Sequence, residues 1–263
     1  MKKNYLKAIL LILFTLLILS GLGSGVYMQV QVTKLTTHYS VYKLESKSYE
    51  LVKKRPNFWV KLDDISHVGK WAIIISEDWA FYDHSGLDFN QIEDVIKESI
   101  KEGRLVRGAS TITQQVAKNL MLSNDRTITR KAFEAVYTVL IERNLSKDQI
   151  LEHYLNLVEL GKNIYGIKQA SKYYFKKAPQ ALSAKEGAFL AMLLPSPLRY
   201  AQSYNEGRLT DFASEQVSSI LLKMRQAKII NEEERLNAEA EVLPFALVNH
   251  FDDDLFSLEN ESY

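Results

Sequence analysis

The run Trp71-Ala72-Ile73-Ile74-Ile75-Ser76-Glu77-Asp78-Trp79-Ala80-Phe81-Tyr82-Asp83-His84-Ser85-Gly86-Leu87-Asp88 decides how the chain is read. An apolar stretch stops abruptly at two adjacent carboxylates, Glu77 and Asp78. Aromatic residues follow at once, then His84, and Gly86 marks a turn. A carboxylate among apolar and aromatic neighbours loses hydration, which raises its pKa toward the range useful for proton transfer. The pair could equally cap or flank a helix on its solvated side, the common fate of acidic residues. The surrounding sequence has to separate the two.

Downstream the pattern is helical. Asp88 and Gln91 have capping-box spacing, Ile92, Val95, Ile96 and Ile100 form one apolar face, and Gly103 is a stop. Ser110 or Thr111 opens a helix to about Leu122 with Ile112, Val116 and Leu120 inward. Thr127 or Thr129 opens the next, with Phe133, Val136, Tyr137, Leu140 and Ile141 inward. Ser146 with Gln149, Ser183 with Glu186 and Asn231 with Glu234 start three more, and Val217, Ile220, Leu221 and Met224 line another. Strand alternation is weak throughout, so the body reads as mainly α.

Upstream, Ala8–Tyr27 carries no charged residue. Roughly 20 apolar residues suffice to cross a bilayer, so the segment is expected to be a retained transmembrane anchor rather than a cleaved leader. Lys2, Lys3 and Lys7 precede it, which places the N-terminus in the cytoplasm and the body outside the membrane. The expected division is a cytoplasmic N-terminus (1–7), anchor (8–28), polar connector (29–57), main domain (58–242) and an acidic tail (243–263) without clear periodicity.

The 263 residues hold 33 basic and 32 acidic side chains, a net charge of +1, which gives no support for a nucleic-acid partner. A hydrophobic content of 46% supports a sizeable core. Without cysteine there is no disulfide and no thiolate chemistry. No metal-binding H-E-x-x-H, nucleotide loop or G-x-S-x-G elbow is present.

Chemistry-bearing residues gather in two places after the acidic pair. Thr111, Gln114, Gln115 and Lys118 fall at helical spacing, opposite the apolar face. Amides offer donors and acceptors together, as sugar hydroxyls require. Lys118, Arg126, Arg130 and Lys131 then supply four cations within a short span, the kind of excess that holds a phosphate or pyrophosphate. Arg130 and Glu134 also have the spacing of an ordinary helix ion pair. Glu152, Tyr154 and Asn156 read as scaffold, and His84 as a buried residue orienting its neighbours.

Taken in order, E-D-W-A-F-Y-D-H-S-G (77–86), R-G-A-S-T-I-T-Q-Q-V-A-K-N (107–119), R-K-A-F-E (130–134), I-L-E-H-Y-L-N (150–156), Y-G-I-K-Q-A-S-K-Y-Y-F (165–175) and L-A-M-L-L-P-S-P-L-R-Y (190–200) resemble the motif series of the family 51 peptidoglycan glycosyltransferases. The chain is most similar to the monofunctional members, which lack a transpeptidase domain. The resemblance implies a lysozyme-like, bilobed helical domain: a head, and a small membrane-associated jaw at about 89–106, behind one transmembrane helix. It implies lipid II as substrate and polymerisation of glycan strands for the cell wall. The further partners implied are the plasma membrane and, as an open possibility, other cell-wall synthases.

By position, Glu77 matches the general base and Glu134 the second acidic residue near the pyrophosphate. Ser110, Thr111, Gln114, Gln115, Lys118, Asn119, Arg126, Arg130 and Lys131 are the expected substrate and pyrophosphate contacts. Asp78, Phe81, His84 and Gly86 are expected to support the site. No cofactor is required by the residues; a divalent cation, Mg2+ or Mn2+, held with the pyrophosphate near Glu134 stays open. Two alternatives remain at this level. A lytic muramidase or lytic transglycosylase would use the glutamate as an acid, and an envelope scaffold would use none of this chemistry.

Overall fold

Caps set the helix boundaries. In the computed structural model, which describes residues 2–104, 110–122 and 127–246, the chain starts with α1 (Lys2–Lys34) and a hairpin of β1 (Tyr39–Lys43) and β2 (Ser48–Val52). It continues through α2 (His67–Glu77), α3 (Phe89–Glu102), α4 (Ile112–Met121), α5 (Ile128–Asn144) and α6 (Lys147–Leu157). A short antiparallel pair, β3 (Glu159–Gly161) and β4 (Ile164–Tyr165), leads to α7 (Ile167–Phe175) and α8 (Ala184–Leu193). The described chain then passes through α9 (Pro197–Tyr200), α10 (Gln202–Asn205), α11 (Asp211–Gln226) and α12 (Glu232–Ala240). Thr111, Ser146, Ser183 and Asn231 each close a reciprocal capping box with the Gln or Glu three residues on. Two amide donors with no intrahelical partner are satisfied at each of these ends. Thr127 caps α5, and Gly103 stops α3 in the left-handed region at φ 65°.

The core is built on α8. Every residue from Lys185 to Leu193 is buried, as a helix apolar on all sides requires. α2 and α11 pack on it and on each other. The α2–α8 approach is close because both helices offer glycine: a Cβ on Gly187 would lie 2.8 Å from the Gly69 Cα and 3.2 Å from the Ala72 Cβ. α4 packs on α5 and α6 beside this stack, so the C-terminal end of α2 meets the N-terminal end of α4.

Four expectations change. The polar connector at 29–57, expected to have some helical or extended character, is built more firmly into the fold than that. α1 runs unbroken to Lys34 with Met28, Val32 and Leu35 in the core, and the β1–β2 hairpin follows. The apolar face of α3 is mostly uncovered: Val95 is buried, but Phe89, Ile96 and Ile100 are exposed, Ile100 at 76%. On α5, Tyr137 and Ile141 are buried and Leu140 is half-buried, while Phe133 and Val136 stay exposed. Five apolar positions span more of that helix than α1, α4 and α6 cover. The expected tail begins late, since Leu243 and Phe245 are core residues and Phe245 packs on Phe189. Residues 247–263, the end of the jaw segment, part of the 107–119 motif and Arg126 lie outside the described residues.

α1 contains a stretch long and apolar enough to cross a membrane, Leu13–Lys34, almost none of it buried. Gly187→Ala is expected to lower the unfolding free energy by about 1–3 kcal/mol through overpacking between α2 and α8. A denaturant melt with an unchanged slope measures it.

Candidate active site

Glu77 is the last residue of α2 and Asp78 its C-cap, yet their surroundings diverge. Asp78 is 1% exposed and fully engaged. Its Oδ1 lies 2.8 Å from His84 Nε2, and its Oδ2 accepts the Ile112 N–H, the first amide of α4, at 2.9 Å. His84 Nδ1 in turn accepts the Gly86 N–H at 3.0 Å, which leaves Nε2 to donate to Asp78. The Gly86 carbonyl accepts the Thr111 hydroxyl at 2.6 Å. At φ +90°, a side chain at Gly86 would also collide with Thr138 and Glu142, 2.7 Å from each. Phe81 is buried, with the Lys147 ammonium 4.5 Å from its ring centre. Trp79 instead points out, 68% exposed, so it does not supply the apolar setting of Glu77.

That setting comes from α4 and α6. Gln115 Nε2 donates to Glu77 Oε2 at 2.7 Å, and the Tyr154 hydroxyl donates to Gln115 Oε1 at 3.4 Å. Burial pushes the Glu77 carboxyl above its ordinary range, the Gln115 hydrogen bond pulls it partly back, and the Asp78 charge adds to the rise. Glu77 is thus a weakly hydrated carboxylate held by one amide. Sequence periodicity marked Tyr154 as inward scaffold and missed its place behind Gln115. Its only signal is a phenol among otherwise apolar inward positions, a group that needs a buried partner.

The neighbouring amide serves the other acid. Gln114 Nε2 reaches Glu134 Oε1 at 3.4 Å, and Glu134, 2% exposed, also accepts Arg130 at 2.9 Å and the Lys131 ammonium. Lys131 further donates to the exposed Ser110 hydroxyl at 3.3 Å. Arg130 Nε is buried without a hydrogen-bond partner among the described residues. Glu134 therefore fixes two cations side by side, and the three groups together carry one net positive charge. Thr111 and Gln114, expected on the substrate-facing side, are buried with their polar atoms bonded inside the protein. Gln115, Lys118 and Asn119 do face open space, lining a cleft of about 580 Å3.

Both Glu134 oxygens already accept from cations, so a divalent ion there would share the carboxylate with Lys131 and Arg130. Among the described residues, Asp78, His84 and Asp88 bring ligand atoms together, but their hydrogen bonds already tie the caps of α3 and α4.

A carboxylate suited to taking a proton, held by one amide of α4, with a cation cluster reached by the amide next to it, is the equipment of a group-transferring enzyme. The family model described as Transglycosylase matches residues 44–225, and the chain belongs to that family. A protein of Acinetobacter baumannii (strain SDF) named biosynthetic peptidoglycan transglycosylase is 44% identical over 57% of this chain and 67% of its own. One of the same name from Nitrosospira multiformis is 40% identical over 65% and 73%. The crystal structure of penicillin-binding protein 1A from Haemophilus influenzae overlays 50% of this chain and 16% of that one, at 24% identity and a TM-score of 0.32, too loose a match to build on.

Asp78→Ala strips a buried imidazole and a helix-start amide of their acceptor and is expected to cost about 1–3 kcal/mol of stability. Glu77→Gln should stay within about 0.5 kcal/mol of wild type, which thermal melts of the two variants compare. A carboxylate that takes a proton must start deprotonated, so if the reaction uses Glu77 in that way its activity should fall as pH drops through the raised Glu77 pKa, above the usual value of about 4.3. Gln115→Leu removes the hydrogen bond that holds that pKa down and should move the acidic limb of the pH–rate profile to higher pH.

Proposed function

We propose that this chain polymerises lipid II into glycan strands for the cell wall, with Glu77 as general base. The observation that carries this is the Glu77–Gln115 pair placed next to the Arg130–Lys131–Glu134 cluster by consecutive amides of α4. The donor sugar leaves from a pyrophosphate, which needs positive charge rather than a proton. Two unit charges about 4 Å apart gain roughly 4 kcal/mol at an effective dielectric of 20. Arg130 and Lys131 are prealigned by Glu134 to supply it, with the exposed Ser110 hydroxyl beside them, so little reorganisation is left for the reaction. Glu134 acts by positioning these cations. Lys118 and Asn119 face the cleft as further substrate contacts, and Arg126 belongs to the same cationic segment by sequence.

The acceptor is a sugar 4-hydroxyl, which does need a base. Glu77 takes its proton as the oxygen attacks the anomeric carbon opposite the departing pyrophosphate, turning an α linkage into β-1,4 with inversion. No covalent sugar–enzyme intermediate forms. The cations of the site carry this scheme, and a divalent ion would enter only together with the pyrophosphate.

The lipid part of the substrate lies in a bilayer, and two features suit that location: the apolar α1 and the uncovered Phe89–Ile96–Ile100 face of α3. With Lys2, Lys3 and Lys7 on the cytoplasmic side, the cleft opens on the outer face of the plasma membrane.

Incubation of the full chain with lipid II tests the reading. Wild type should release undecaprenyl pyrophosphate and build polymer, and Glu77→Gln should lower the rate by about 100- to 10,000-fold while folding normally. Cleavage of purified glycan strands without polymer formation would overturn it in favour of a lytic enzyme.

A further inference from the structure

The β1–β2 hairpin, sited where the sequence suggests only a connector, is a wall of the cleft that holds Gln115. Tyr42, Lys47, Ser48 and Tyr49 line that cleft together with Tyr165. The register pairs Tyr42 directly with Tyr49 across the hairpin, ring centres 4.9 Å apart. Tyr165, from β4 more than a hundred residues on, stacks on Tyr42 at 3.8 Å with an interplanar angle of 20°. The Tyr49 hydroxyl is tied to the Leu157 carbonyl at 2.7 Å, which fixes the group to the end of α6.

Three tyrosines locked together but left half-buried beside a polar cleft are poorly explained by core packing, which prefers aliphatic side chains and phenylalanine at such density. Rigid phenol rings offer apolar area at low entropic cost and a hydroxyl at the edge, which matches the apolar face and polar rim of a pyranose. Two exposed ammonium groups, Lys47 and Lys118, face one carboxylate, Glu159, in the lining, which favours a saccharide bearing an anionic group. Lys47 sits at the hairpin tip with φ 49°.

We propose that the Tyr42–Tyr49–Tyr165 cluster forms a stacking subsite for a pyranose ring of an anionic glycan, on the side of the cleft served by Glu77. Gln115 both lines the cleft and holds the Glu77 carboxylate, and Lys118 and Asn119 line it as well, so the tyrosine stack shares a cleft with groups next to Glu77 and with the proposed substrate contacts. This rests on the transglycosylase reading above and adds to it a pair of strands outside its motif series.

Two readouts separate failure of the subsite from failure of that reading. The first is steady-state polymerisation of lipid II by wild type and Tyr42→Ala. The second is direct binding of a soluble tetrasaccharide of alternating N-acetylglucosamine and N-acetylmuramic acid, in the Glu77→Gln background. Tyr42→Ala should raise KM for lipid II and Kd for the tetrasaccharide by about fivefold to tenfold, with kcat nearly unchanged, and Tyr42→Phe should recover most of the affinity. Unchanged KM and Kd in a folded Tyr42→Ala would overturn the subsite and leave the polymerase reading standing. If wild type makes no polymer but Tyr42→Ala still weakens tetrasaccharide binding, the subsite stands and the polymerase reading falls. Should Tyr42→Ala fail to fold, Ser48→Trp decides: it obstructs the cleft from the exposed edge of the hairpin, and unchanged Kd would overturn the subsite.

Discussion

The Asp78 carboxylate holds the site together. One oxygen engages His84 in the turn that follows α2, and the other accepts the first amide of α4. An anion at the C-terminal end of α2 sits against the negative pole of that helix. Asp78 escapes the penalty because the positive pole of α4 is brought to it. Glu77, one residue earlier, shares the unfavourable pole and, among the described residues, receives a single side-chain amide, from Gln115. Two adjacent carboxylates are thus set apart by which helix start each can reach: Asp78 is bonded through both oxygens to the turn and to α4, and Glu77 meets the Gln115 amide.

The same division repeats on α4. Consecutive residues of an α-helix point about 100° apart, so Gln114 and Gln115 face different neighbours. Gln114 turns inward to Glu134 and its own helix cap, and Gln115 turns to Glu77 and the cleft. The helix therefore holds the two acid assemblies on neighbouring faces, one through each amide. Its own position is over-determined by Asp78 and by the Thr113–Glu142 hydrogen bond at 2.5 Å, with Lys147 completing the pair at 2.8 Å.

What the sequence made legible was what is locally decided. Ser146, Ser183 and Asn231 bond residues three positions away, so their helix starts can be read without the fold. The exposure of Phe133 and Val136 cannot, because it depends on how much of α5 its partners cover. Thr111 shows the limit within the site. Its type and spacing suit a sugar contact, but the carbonyl of Gly86, far away in sequence, claims the hydroxyl. The hairpin was illegible for a related reason: Tyr39–Lys43 and Ser48–Val52 alternate weakly, and what recommends them as strands is each other and the stack on Tyr165.

α1 has one more consequence. It passes without a break from its apolar stretch into the core, where Met28, Val32 and Leu35 are packed, and Gln29 bonds Asn144 at the end of α5. There is no swivel between the two. Whatever surface holds the apolar stretch also dictates the height and compass bearing of the cleft above it, at about 1.5 Å and 100° per residue of helix. The protein is built less like a tethered float than like a tool on a fixed shaft, with reach and heading set by the length of one helix.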